Sequence, residues 1–218
     1  MNMTISADKM KSILHQVFIK HGVQYETAKL LSSVHTESTL FGVNSHGINR
    51  VAQFIKHLKA GVIDINANAA RVNSFGQMER WNGNGGSGVI NATTCTNRAI
   101  DLAKENGMGL VALRNTNHWM RAGTYGWQAT KAGCIGIMFT NTQPNMPPWG
   151  GKESRIGNNP LVIAIPRKAG HVVLDMAMSQ FSFGKIHEYQ LKGEKLPYLG
   201  GWDNNDQLPN DPDKILKT

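Results

Sequence analysis

The feature that most constrains this chain is a change of hydrophobic period at Gly61. Before it, apolar residues recur at helical spacing. Met10, Ile13, Leu14, Val17 and Phe18 fall at i, i+3, i+4, i+7 and i+8, with Ser6 placed to cap the run and Gly22 to end it. A second helix is expected from about Glu26 to Thr39, closed by Gly42. A third is expected from near Ser45, carrying Val51, Phe54, Ile55 and Leu58 before Gly61. After Gly61, "ARVNSFGQMERWN" reads as extended and "NATTCTNRAIDLAKENG" as a helix. "GLVALRN" reads as a buried strand and "AGTYGWQATKAG" as a short helix. "CIGIMFTN", "LVIAIP" and "HVVLDMA" read as strands, followed by a helical "SFGKIHEYQLKG" and a loop-like tail. Strands alternating with helices predict a mixed α/β fold. The expected organisation is an N-terminal helical unit over 1–62, a sheet-containing cofactor and substrate domain over 63–200, and a polar tail over 201–218.

Composition narrows the classes of function. With 218 residues, 40% of them hydrophobic, the chain can bury a sizeable core. No apolar run approaches the roughly 18 residues a membrane helix needs, so no membrane span is expected. Asp8 and Lys9 stand where a signal peptide would be apolar, and the two cysteines, Cys95 and Cys134, form no CxxC. A reduced, cytoplasmic protein is therefore expected. The net charge of +8 is spread without a run of four basic residues, which favours a binder of small anions over a nucleic-acid protein. No HExxH or HxH spacing is present, so no metal site is expected.

"GNGGSG" satisfies GxGxxG through Gly83, Gly85 and Gly88 and precedes a helix. A dinucleotide fingerprint also needs a strand directly before it and an acid at the end of the next strand. "QMERWN" does not read as a continuous buried strand, and "GLVALRN" ends in Arg114 and Asn115. A tight turn entering a helix is the expected reading.

Two clusters carry candidate chemistry. In "NSHGINR", a helix capped by Ser45 would put His46 and Arg50 at i and i+4 on one face. Arg50 could then hold the carboxylate of a 2-oxo acid while His46 gives a proton to the carbonyl oxygen. A helix N-terminus disfavours imidazolium, so this placement calls for a compensating carboxylate or a desolvated donor. In "RNTNHWMRAGTYGWQA", His118, Trp119, Arg121, Tyr125 and Trp127 gather just past a strand, a common place for a ligand. Taken alone, the first cluster reads more readily as an exposed pair, and the second as a capped helix with buried tryptophans.

Together with "MPPWGGKESRIGNNPLVIAIP" and "VVLDMAMSQFSFGK", these two clusters resemble the malate/L-lactate dehydrogenase family of NAD(P)-dependent oxidoreductases, and within it the 2,3-diketo-L-gulonate reductase branch. The resemblance implies a cofactor domain of non-Rossmann type and a glycine turn that is not the nucleotide site. It implies that His46 is the proton donor, that His118 is a second candidate, and that Ser45 and Arg50 line the substrate site. Which histidine moves the proton stays open at this point. The segment Val172, Val173, Leu174, Asp175, Met176, Ala177 and Met178 is implied to contact the cofactor, with Asp175 a possible partner of a histidine. NADH is expected rather than NADPH.

The resulting expectation is an enzyme, an NAD(P)H-dependent reductase of a 2-oxo or 2,3-dioxo sugar acid. Its partner is a small molecule, not nucleic acid or a membrane, and the family implies a homodimer. Members of that family continue well beyond the position matching Thr218, so the resemblance implies a C-terminally truncated chain. The alternative is an inactive homologue that acts only as a dimerising or binding fragment. A hydrolase using Ser45 is disfavoured, because Ser45 and His46 are adjacent and no GxSxG elbow is present.

Overall fold

The computed structural model describes residues 4–217. Helix α1 (Ala7–Lys20) starts where the Ser6 hydroxyl accepts the Lys9 N–H, 3.3 Å, and it ends at His21 with Gly22 in the left-handed region. Helix α2 (Tyr25–Leu40) packs against α1, and Gly42 follows it at φ 80°. The expected third helix is shorter than its apolar spacing suggests. Two 3-10 turns, Asn44–His46 and Ile48–Arg50, precede an α3 of Val51–Lys59. Leu14, Phe18, Ala28, Leu31, Val34 and Phe54 close one core between these helices, joined by Val89 and Met120 from later in the chain.

A hairpin follows. Strand β1 (Ala70–Phe75) pairs antiparallel with β2 (Met78–Asn82), and β2 pairs parallel with β3 (Leu110–Arg114). Helix α4 (Gly88–Asn106) makes the crossover between β2 and β3. A strand therefore does precede the glycine loop, within the stretch read as extended, and as "QMERWN" suggested it is not continuously buried. Its polar look comes from Glu79, whose side chain is 2% exposed and faces α4. Arg98 of α4 donates to both Glu79 oxygens at 2.8–3.1 Å, Arg71 of β1 at 3.2 Å and the Trp81 indole at 2.8 Å. Strand β3 is not buried on both faces as expected, since Leu110, Ala112 and Arg114 lie exposed.

A second sheet runs in the order β4 (Gly136–Phe139), β5 (Leu161–Ile165), β6 (Val172–Met176). Helix α5 (Gly123–Lys131) lies on one side of it. A Cβ at Gly126 would sit 2.8 Å from Val162 and 3.2 Å from Ala164 and Val173, so only glycine permits this approach. Ile135, Ile137, Ile165, Val172 and Leu174 form exposed apolar rows.

Contacts divide the chain into two compact units, differently from the division at 62 and 200. The first takes in the chain through Met138 with Val162–Leu174, and the second takes Phe139–Leu161 and Asp175 onward. In the second, α6 (Phe183–Lys192) is capped by Ser182, and its Ile186 packs with Leu196 and Ile215. Ile215 belongs to a short helix α7 (Pro212–Ile215) capped by Asp211, so the tail is not wholly loop. Among the described residues no helix is long and apolar enough to cross a membrane.

The Glu79 network generates a stability prediction. Its hydrogen bonds, Arg98 first, hold the carboxyl well below its ordinary value of 4.5, at about 2, against the opposing effect of burial. Its stabilising share is therefore complete above pH 4.5 and is lost as pH falls toward 2. Arg98 and Arg71 remain 31% and 55% exposed, so the loss belongs with charged hydrogen bonds and not with a fully buried pair. Glu79→Gln should lower the unfolding free energy at pH 7 by about 2–3 kcal/mol. Urea titrations of both forms should also show a weaker acid dependence in the variant.

Candidate active site

The turn that carries Ser45, His46 and Arg50 is not one helix. Gly47 sits between the two 3-10 turns at φ −105°, ψ −138°, an extended conformation that interrupts any helical register. The i, i+4 argument therefore does not describe how His46 and Arg50 meet, and His46 ends a turn instead of opening a helix. Docking on α2 sets the geometry. A Cβ at Gly47 would meet the Thr39 hydroxyl at 2.0 Å, and that hydroxyl accepts the Ile48 N–H at 2.9 Å. The His35 ring of α2 bonds the Gly47 carbonyl through Nδ1 at 3.0 Å.

Within the segment, Ser45 Oγ lies 2.9 Å from His46 Nδ1, and Arg50 Nε donates to the Ser45 carbonyl at 2.8 Å. All three side chains are half-buried. The Nε bond fixes one edge of the guanidinium.

His118 arrives from the loop after β3. The Asn117 amide donates to the carbonyls of Val62, Gly85 and Gly86 at 2.8–3.2 Å, which nails the start of this loop to the glycine turn. Just beyond, the Met120 N–H donates to His118 Nδ1 at 2.9 Å, with Met120 itself at φ 64°. Tyr125 of α5 is fully buried, stacks on Trp119 at 5.4 Å and donates its hydroxyl to the Trp119 carbonyl at 2.6 Å. The outcome is that His118 and His46 face each other, ring centroids 5.5 Å apart and tilted by 31°.

Both imidazoles are poor bases here. Burial lowers the pKa of His46 to about 3, helped by the nearby His118 and Arg50. His118 keeps an accessible edge, yet the protein crowds it closely. That desolvation first, then Arg50 and His35, lowers its pKa to about 4. The site thus holds two neutral imidazoles beside the guanidinium of Arg50. It suits an anion carrying a polar, hydrogen-bond-accepting group.

The glycine-rich loop serves packing. A Cβ at Gly88 would strike the Asn117 carbonyl at 2.0 Å and the His118 backbone at 2.4 Å, while one at Gly83 or Gly86 would strike Asn91 or Ala67. Gly83 and Gly88 are thus held by close backbone and side-chain packing, while the position of a Cβ at Gly85 is open. The segment Val172–Met178 is the one expected to contact the cofactor. It presents Val172, Leu174, Met176 and Met178 as exposed apolar groups with the Asp175 carboxylate among them, although the Met178 N–H already donates to Asn158. Asp175 lies where β6 passes into the second unit. Sequence reasoning missed His35, Asn91 and Asn117. His35 shares the α2 face of Leu31 and Val34, which signals burial, and an imidazole on that face needs a partner.

A family model described as malate/L-lactate dehydrogenase matches residues 5–218. The chain belongs to the malate/L-lactate dehydrogenase family. It is 44% identical over 215 residues to a 2,3-diketo-L-gulonate reductase of Escherichia coli O139:H28, covering 99% of this chain and 64% of that protein. Among solved structures it is similar to the malate dehydrogenase of Entamoeba histolytica, with a TM-score of 0.95, 30% identity, and coverage of 100% of this chain and 61% of that one. A sulfolactate dehydrogenase of Methanocaldococcus jannaschii superposes with a TM-score of 0.87 at 36% identity, covering 99% of this chain and 62% of that one. The chain therefore spans less than two thirds of the length of these relatives. As a member of this family it has the mixed α/β fold that its periodicity predicted.

The electrostatics can be read directly. Unfolded imidazoles protonate near pH 6.5, well above His46 and His118 in the folded chain, so the unfolded state takes up protons first as pH falls. The stability held by keeping these rings neutral is complete above pH 6.5 and drains away toward pH 3–4. Nitrogen-15 NMR of labelled histidines should find both rings neutral at pH 6. Either one titrating near 6.5 in the folded protein would contradict this description of the site.

Proposed function

We propose that this chain carries the proton-transfer and anion-binding half of an NAD(P)H-dependent reductase acting on a 2-oxo or 2,3-dioxo sugar acid, of the 2,3-diketo-L-gulonate type. Support comes from the neutral His46 and His118 pair beside Arg50, on the scaffold of a dehydrogenase family whose relatives include a protein named for that reduction.

The hydrogen bonds on the two Nδ1 atoms divide the labour. His118 Nδ1 accepts a backbone N–H, so the proton of its neutral ring is on Nε2, and a second proton would cost that bond. His46 Nδ1 instead faces a hydroxyl, which can donate to the neutral ring or accept from the charged one. His46 is therefore the ring able to become imidazolium, and His118 is a fixed N–H donor that orients the substrate carbonyl. Arg50 holds the carboxylate. Its charge depresses both imidazoles, and a bound carboxylate offsets that charge, so substrate binding raises the affinity of His46 for a proton.

The residues Val172–Met178 would hold the nicotinamide, whose chemistry when bound would be hydride delivery to the carbonyl carbon. The carbonyl oxygen takes its proton from His46 Nε2, and His46 recovers one from solvent. Asp175 is the polar group of the cofactor segment, and the cofactor in this reading is NADH. The same reading includes a cytoplasmic homodimer.

The test is NADH oxidation by the purified chain with 2,3-diketogulonate. Replacing His46 with Asn should reduce kcat roughly 100-fold or more and remove the pH dependence of kcat below neutrality. Arg50→Met should act on KM, raising it about 10-fold or more. His118→Asn should lower kcat less than the His46 change and keep the pH limb. A pH limb that disappears with His118 and survives without His46 would reverse the two roles. Full NADH turnover in both histidine variants would reject the proton-transfer reading.

A further inference from the structure

Helix α2 places His35 in the helical core with its side chain fully buried. Its ring lies between Phe18 of α1, centroids 5.9 Å apart, and Phe54 of α3, 6.1 Å apart. Packing alone does not explain an imidazole there. Its Nε2 is buried with no hydrogen-bond partner among the described residues, a defect that a phenyl ring would avoid. Its one bond runs from Nδ1 to the Gly47 carbonyl. A carbonyl only accepts, so Nδ1 carries the proton, and burial opposes a second one.

Gly47 joins the turn bearing Ser45 and His46 to the turn bearing Arg50. Its carbonyl accepts from two sides, the His35 ring and the Arg50 backbone N–H at 3.0 Å. One oxygen thus connects the buried face of α2 with the backbone of the substrate-binding arginine. We propose that His35 is a positioning residue that sets the placement of His46 relative to Arg50 through its Nδ1–H bond to the Gly47 carbonyl. The charged and titratable groups around it are His46 and Arg50 on the turns it holds and His118 from the β3 loop, whose protonation it opposes electrostatically. From α1 and α3 it meets the phenyl rings of Phe18 and Phe54.

The kinetic consequence rests on the reductase reading, but the structural one does not, and the experiment separates them. His35→Asn keeps an N–H near the position of Nδ1, whereas His35→Gln carries it one methylene further, and His35→Phe keeps the ring shape without a donor. Histidine NMR on the whole chain follows the His46 signal and its titration in each variant, with circular dichroism to check folding. His46 should keep its wild-type behaviour in H35N, and in H35Q and H35F it should shift and titrate closer to pH 6.5. Where NADH turnover is present, kcat/KM should fall about 10-fold or more in H35Q and H35F, mainly through kcat, and recover in H35N. If the wild-type chain shows no turnover, the reductase reading falls and the NMR comparison still decides the role of His35. If H35F does not fold, the comparison of H35N with H35Q decides it. His46 behaving alike in H35N and H35Q would overturn the proposal.

Discussion

The amide of Asn91 is the interaction on which the arrangement of the first unit depends. It is completely buried in the first turn of α4. Its oxygen accepts the Ala69 N–H before β1 at 3.1 Å, and its nitrogen donates to the Gly83 carbonyl after β2 and to the Thr116 hydroxyl after β3, both at 3.0 Å. One side chain thus joins three separate stretches of chain. The Asn91 amide is itself buried and would be costly to leave unpaired, so the convergence is strongly specified. Everything C-terminal to Thr116 in that loop, including His118, takes its position from this point.

From there the site is assembled by backbone bonds. Asn117 fixes the loop to the glycine turn, Met120 orients the His118 ring, and the stacked Trp119 and Tyr125 hold the loop against α5. On the other side, α2 holds the His46 turn through Thr39 and His35. Two elements far apart in sequence thus bring two imidazoles face to face, and desolvation with the charge of Arg50 lowers the pKa of both.

What the sequence displays and what it hides follow from how local each determinant is. The Ser6 cap and the α1 period are local, and they hold to the residue. The break at Gly47 is invisible locally, because the reason for a glycine there is the Thr39 side chain on the neighbouring helix. Strand β2 read as extended but not as a buried strand, because its inward residue is a glutamate, accommodated through Arg98 of the following helix. Resemblance brought His46 and His118 into one site. Spacing placed His46 and Arg50 together for the wrong reason, a shared helical face that does not exist. The tautomers that separate the two histidines depend on a backbone N–H and a hydroxyl, and only coordinates reveal those.

The exposed rows of Ile135, Ile137, Ile165, Val172 and Leu174 have a consequence for the molecule in solution. Apolar ridges of this kind draw copies together at short range, while a net charge of +8 holds them apart over a longer one. The repulsion has the reach of the ionic atmosphere, about 8–10 Å near physiological salt and only about 3 Å at molar salt. The attraction between ridges has no such dependence. Salt therefore acts on one side of this balance, weakening the repulsion between copies of this chain while its apolar rows stay as they are.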